Sequence, residues 1–281
     1  MKIGNMHIKK SKSESNWWKY LLSFVIVLIH ILPIYVLINM AFKTSTDFSS
    51  RLSLPTYYYL GNFTEVIKDG SIFRGYINTT IITVATITLE VICGCMTAYA
   101  LARNQSKFNE LIRKFVLGVM MIPSLSILVG VYSLIVNMGG VSTYWAIIAI
   151  TVAFGLPMSI FLFTNFIVSI PNALDEAATI DGANVFQTFW YIILPQLKSV
   201  TVTVIILKGV STWNDYLYPT YFLQAPDKYT IVLLIKQYFS DASVNLHGAA
   251  AAATLGMLPI IIIYLFLQKY FIQGTIDSAI K

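Results

Sequence analysis

The chain has 281 residues; 57% are hydrophobic, only 11% are charged, and the formal net charge is +6. Soluble domains carry about 45–50% apolar and about 25% charged residues, so this chain has too little charge to wet a globule of its size. The balance excludes a cytosolic enzyme, a disordered chain and a disulfide scaffold, and fits one integral membrane domain surrounded by lipid.

Residues 1–19 form a basic tail with Lys2, Lys9, Lys10, Lys12 and Lys19. Six apolar stretches follow, each reaching the roughly 20 residues that a membrane helix needs. They lie near 20–42, 77–102, 115–136, 144–168, 199–222 and 249–271. The first is too long for a signal-peptide core, contains Pro33 and lacks a small-residue cleavage site, so it reads as a retained helix. Cys93 and Cys95 lie two apart in the second stretch, on nearly opposite helix faces, which excludes a bridge or metal site between them. His7, His30 and His247 are too scattered for a metal site or a catalytic triad. Pro123, Pro157 and Pro259 are expected kinks, and the run from Gly248 to Gly256 a close-packing helix face. A tail, 272–281, ends the chain.

Six spans put both termini on one side. That side holds twelve Lys and Arg: five in the N-terminal tail, then Arg103, Lys107, Arg113, Lys114, Lys198, Lys269 and Lys281. The opposite side holds six, namely Lys43, Arg51, Lys68, Arg74, Lys228 and Lys236. The positive-inside rule then makes both termini cytoplasmic and the protein multi-pass. The net positive charge is accounted for by these flanks, with no nucleic acid required. The outer loops are 43–76, 137–143 and 223–248; the inner ones are 103–114 and 169–198.

The last inner loop breaks the basic trend with Asp175, Glu176 and Asp181. Pro171 suits a helix start, and Asp175 and Glu176 fall near the positive end of its dipole. Gly182 can end that helix in a left-handed conformation. Val185, Phe186, Phe189, Trp190 and Ile193 then recur at helical spacing, and Pro195 is expected to stop the second helix. Two short surface helices around a glycine turn result. Helices that rest on lipid favour basic polar faces, so the acidic, small-residue half fits docking onto a protein better than packing on lipid, with Ala177-Ala178 pressed against the partner.

These residues resemble a known family. Glu176-Ala177-Ala178, Gly182, Ile192, Leu194 and Pro195 are spaced like the EAA motif of ATP-binding-cassette (ABC) importer permeases. Asp181-Gly182-Ala183, Asn78-Thr79, the run Ala98-Tyr99-Ala100-Leu101-Ala102-Arg103, Trp213-Asn214-Asp215 with Pro219, and Gln268-Lys269-Tyr270-Phe271 are similar to the second, six-span permease of maltose-type carbohydrate importers. The resemblance implies an all-α membrane domain over 20–271. Its coupling-helix pair at 171–195, between spans four and five, would sit in a cleft of a cytoplasmic ATPase. It implies coupling residues Glu176, Ala177, Ala178, Asp181, Gly182, Leu194 and Pro195. It also implies partners: a second permease forming a heterodimer, two ATPase subunits carrying ATP and Mg, an extracellular solute-binding protein and a sugar. The chain itself has no Gly-Lys dipeptide, hence no phosphate-cradling P-loop, and is expected to carry no cofactor and no enzyme activity.

Three charges lie at membrane depth: Glu90 in the second span, and Lys208 and Asp215 seven apart on one face of the fifth. Such charges face a bundle interior or a wet path. Two readings stand: a pore lining that binds sugar hydroxyls, with Trp213, Asn214 and Asp215 beside it, or a structural Glu90–Lys208 pair. Asn214 and Asp215 lie nearer the outer end, where a gate or a contact with the binding protein fits equally. Trp213, Tyr216 and Tyr218 could stack on sugar rings, though an interfacial aromatic belt suits Tyr218 better. The same machine could carry glycerol phosphate or a polyamine, but a phosphate would call for more membrane-depth cations than Lys208. No paired nucleophile and base supports a membrane enzyme, and the coupling loop argues against a free-standing secondary transporter.

Overall fold

The computed structural model describes residues 17–240 and 242–279. The basic residues before position 17, Asp241, and Lys281 of the C-terminal tail lie outside the described residues. Helix α1 (Trp17–Ala41) is apolar on every side and, from Trp17 to Ile34, exposed on every side, a surface that needs lipid or another membrane subunit around it. Lys43, only 2% exposed, follows it. Its ammonium donates to Ser49 Oγ and the Ser50 carbonyl, both at 2.7 Å, and so folds the loop back on itself.

After α2 (Gly61–Lys68), Gly70 takes a φ of +71° and α3 runs unbroken from Ser71 to Arg103. The chain continues through α4 (Lys107–Met120), α5 (Leu128–Asn137), α6 (Tyr144–Val168) and α7 (Ala173–Ile180). Then α8 (Val185–Thr188) passes through a π-helical turn, Phe189–Ile193, into α9 (Leu194–Gln196). The last helices are α10 (Lys198–Trp213), α11 (Leu217–Phe222), α12 (Ile231–Ser240) and α13 (Ala242–Ala279), the last kinked at Asn245. No strand occurs among the described residues.

Four helical stretches can each cross a membrane alone: α1, α3, α6 and residues 245–266 of α13. Two bent pairs bring the count to six. The third span bends at Pro123, where a kink was expected, but sharply enough that α4 and α5 join at 92°, and it starts at Lys107, inside the expected loop. Pro123 is the cause, because the residue before a proline is pushed out of helical geometry. Prolines 33, 157 and 259 are carried within their helices. The fifth span also differs. It ends as α10 at Trp213 because Asn214 Nδ2 donates to the Val210 carbonyl and Asp215 Oδ1 accepts from the Leu217 amide, local bonds that compete with the helix. The predicted loops at 43–76 and 223–248 contain α2 and α12.

Helices α3 and α6 make the most extensive contact in the bundle. Small residues bring them close: a Cβ on Gly94 would lie 3.2 Å from Ser159 Cβ. Ala249 to Ala252 are all buried where α13 meets α1, α10 and α12. A third cluster gathers Ala98, Phe163, Ile167, Phe189, Ile193 and Leu197 at the Arg103 end of α3.

Candidate functional site

Two polar regions of the molecule carry the residues expected to function. The first is a cavity of about 300 Å³ between α3, α6 and α10, roofed by the break between α4 and α5. Glu90 and Lys208 line it, with Lys208 Nζ 3.6 Å from Glu90 Oε2. Ser159 Oγ donates to the same oxygen at 2.8 Å. Glu90 is 1% exposed, and its Oε1 has no hydrogen-bond partner. That oxygen fits only because residue 155 is glycine, since a Cβ there would overlap the carboxylate. Pro157 lines the same wall and supplies no backbone donor there. Asp215 and Tyr218 close the far side, where the Tyr218 ring stacks on Phe154 with centroids 5.2 Å apart. Carboxylates, an ammonium, hydroxyls and an aromatic face give this lining the groups that hydrogen-bond and stack on a polar solute.

The two readings of the membrane charges therefore describe one arrangement: Glu90 and Lys208 are a pair, and the pair lines a cavity. Trp213 does not line it. It is buried, its Nε1 donates to the Gly256 carbonyl of α13 at 3.4 Å, and it lines a separate apolar cavity with Ile206, Gly209 and Pro259 instead. Asn214 is exposed and caps α10 through its bond to Val210. Tyr218, expected in an interfacial belt, is half-buried in the lining. Tyr216 is exposed outside it, beneath the Lys236 ammonium.

The second place is the hairpin at 173–196. Asp175 and Glu176 occupy the first turn of α7, and Gly182 ends the helix at φ +83°. The Gly182 amide donates to Thr179 O and the Ala183 amide to Ala178 O, which caps the open carbonyls. Asn184 and Gln187 then form a capping box that starts α8. Glu176, Ala177, Asp181 and Gly182 are exposed together with Ile180, Val185 and Phe186. Ala178 is different. It is 3% exposed inside this chain, so it cannot press against a partner, and only Ala177 of the pair faces outward. The apolar stripe also divides: Phe189 and Ile193 enter the core, whereas Val185 and Phe186 stay out. Leu194 is half-buried against the same core. Pro195 is exposed and sits within α9; the break comes at Leu197, where the chain turns by 73° into α10.

A third feature escaped sequence reasoning. Asp175 Oδ1 accepts from Tyr99 Oη at 2.7 Å, and Asp175 Oδ2 lies 2.9 Å from Arg103 Nη2. Arg103 Nη1 donates to Asn172 Oδ1 at 2.7 Å and to the carbonyls of Ile170 and Ile167 at 3.0 and 3.3 Å. Arg103 looked like one more basic flank, and Asp175 like a helix-dipole charge. Their offset of four helix positions, Tyr99 to Arg103, was the available signal, because it puts both donors on one face of α3.

Residues 90–277 match the family described as binding-protein-dependent transport system inner membrane component. The chain is 37% identical over 262 residues to the melibiose/raffinose/stachyose import permease protein MelC of Bacillus subtilis, covering 93% of this chain and 95% of that protein. It is 30% identical to the multiple sugar-binding transport system permease protein MsmG of Streptococcus mutans, with 98% and 100% covered. Its fold is similar to a chain of a bacterial ABC transporter that imports the acidic polysaccharide alginate, with a TM-score of 0.80 at 22% identity, covering 93% of this chain and 99% of that one.

Proposed function

The chain belongs to the binding-protein-dependent transport inner membrane components and is a transport subunit rather than an enzyme; we propose that it is one of two permeases lining the path of a sugar or oligosaccharide through an ABC importer. The observation that carries the coupling half of this reading is the 173–196 hairpin. It stands on a buried apolar base of Phe189, Ile193 and Ala178 and presents Glu176, Ala177 and Asp181 outward. Neither Glu176 nor Asp181 has an ion-pair partner within the described residues of this chain, so a basic group on a cytoplasmic ATPase suits them. ATP and Mg belong on those two ATPase subunits. The second permease completes the wall of the cavity at Glu90, Lys208 and Asp215, and an extracellular solute-binding protein delivers the sugar at the opposite end. In this reading the Arg103 end of α3 and both termini are cytoplasmic in a bacterial cell membrane. The relatives' sugars support the substrate class, as does a lining of carboxylates, hydroxyls and an aromatic face around a single ammonium.

The test is a reconstituted complex assayed for uptake and ATP hydrolysis. Gly182→Val places a branched side chain in the left-handed region, which costs a residue with a Cβ about 1–2 kcal/mol. Glu176→Lys reverses a docking charge. Both variants are expected to insert in the membrane yet move no sugar; coupled uptake in both would remove the coupling role. A cysteine at Asn184 should be protected from an impermeant thiol reagent in intact cells, and labelling there would reverse the topology.

A further inference from the structure

We propose that Asp175, Tyr99 and Arg103 form a positioning clamp that locks the first coupling helix, α7, to α3, so that displacement of the hairpin moves the cavity wall bearing Glu90. The inference rests on the coupling role given to the hairpin above and assigns residues outside it. The hairpin is covalently continuous with the bundle at both ends, from α6 into α7 and from α8 through the π turn and α9 into α10, the helix of Lys208. Besides its apolar base, it is tied to α3 by the clamp. Asp175, in the first turn of α7, meets Tyr99 and Arg103, in the last two turns of α3.

The chemistry suits a tie that bears load. The Arg103 and Asp175 side chains are 14% and 20% exposed, so the pair is sheltered from much of the solvent screening that weakens surface ion pairs. Arg103 also holds the carbonyl end of α6 through Ile167 and Ile170, and Asn172 just before α7. One guanidinium thus joins the ends of α3 and α6 to the start of α7. Arg103 lies thirteen helix positions beyond Glu90, a distance of about 20 Å along α3. A continuous helix carries a displacement over that length, as energetic coupling through rigid elements requires. The Glu90–Lys208 contact then lies between two walls, one tied to the hairpin by the clamp and the other by the chain itself.

The permease pair reconstituted with its ATPases and binding protein would be assayed for sugar moved per ATP hydrolysed. Asp175→Asn and Arg103→Ala should assemble and hydrolyse ATP while that ratio falls about tenfold, within the usual range of coupling energies. Arg103→Lys, which keeps the charge, should recover most of it. Tyr99→Phe removes one hydroxyl, leaves the ion pair, and should lower the ratio by a smaller factor. An unchanged ratio in assembled Asp175→Asn complex overturns the clamp. If that variant fails to assemble, an unchanged ratio in Tyr99→Phe overturns it instead. Glu176→Lys and Gly182→Val run in parallel separate the two readings. If both remain coupled, the hairpin is not the coupling element and the clamp falls with it; if both uncouple while the Asp175 and Tyr99 variants do not, only the clamp is wrong.

Discussion

At its Ser71 end α3 is held by neutral hydrogen bonds, most of them to backbone. Asn78 Nδ2 donates to the carbonyls of Asp227 and Tyr229 at 3.0 and 2.9 Å, and its Oδ1 accepts from Tyr144 Oη at 2.7 Å. Thr79 Oγ1 accepts the Ile231 amide that opens α12, and Tyr76 Oη donates to Leu255 O on α13. Asn78 and Thr79 are buried. At the Arg103 end, the same helix is held by a carboxylate, a guanidinium and a phenol that remain partly exposed. The Arg103 Nε and Nη2 donors there carry no hydrogen bond, although Nη2 is in ion contact with Asp175. A buried, neutral, satisfied knot has one good arrangement, and every departure strands polar groups. The charged tie is less completely satisfied: the two Arg103 donors without hydrogen bonds are buried, so it depends on its ion contact more than the knot does. One end of α3 is thus fixed by a satisfied neutral network, and the other is tied to the hairpin by charge.

The sharpest way to break this comparison is Asn78→Ala. It strands two carbonyls and the Tyr144 hydroxyl, and buried groups left unpaired cost about 1–3 kcal/mol each. We expect a large fall in thermal stability of the detergent-extracted permease, far beyond that of Asp175→Asn, which should act mainly on coupling. Equal destabilisation by the two would erase the distinction between the ends.

Next in size is the middle of the helix. Glu90→Gln leaves the Lys208 ammonium without its counter-charge, and breaking a dry buried pair costs about 3–5 kcal/mol, less where water reaches it. Uptake should fall along with stability. Adding Lys208→Met should restore stability, read as Tm, without restoring uptake; wild-type uptake and expression in Glu90→Gln alone would refute both roles of the pair. Gly155→Ala should act in the same place more mildly. Its Cβ must displace the Glu90 carboxylate, and overpacking costs about 1–3 kcal/mol. Uptake like wild type in Gly155→Ala would mean the carboxylate position is not critical.

The smallest effect lies outside the membrane helices, at Asp47 in the loop after α1. Hydrogen bonds from the Ser49 hydroxyl and amide hold its pKa down to about 2, with Lys43 adding a smaller electrostatic pull. A carboxylate lowered in the folded state stabilises it above the unfolded value, about 3.9, and that contribution fades as pH falls towards 2. Hydrogen exchange of residues 44–56 should therefore respond only weakly to Asp47→Asn in acid near pH 2, where the carboxylate is about half protonated, and be faster than wild type at neutral pH. No difference at neutral pH would show that these bonds do not order the loop.

Much of this molecule was legible one residue at a time. Length and hydropathy mark the helices that cross, because lipid leaves no other partner for backbone polar groups. The acidic break at Asp175 and Glu176, and the glycine at 182, mark a hairpin, because a left-handed turn and a helix dipole are local demands that local residues meet. The comparison with relatives bears out the permease resemblance drawn from the spacing of Glu176, Ala177, Ala178, Gly182, Leu194 and Pro195.

Only tertiary structure decided which side each residue faces. A helix such as α6 is apolar all round, so its sequence holds no period to say that Gly155 and Ser159 meet Glu90. The pattern at 177–178 treats two alanines alike, yet one is exposed and the other lies in the core, because neighbours on a helix point about 100° apart. Trp213 looked like a stacking platform until α13 covered it. The ion pairs Glu90–Lys208 and Arg103–Asp175 join residues far apart in the chain. What a charge is worth in a membrane depends on its partner, and that partner is supplied by helix packing rather than by adjacent sequence.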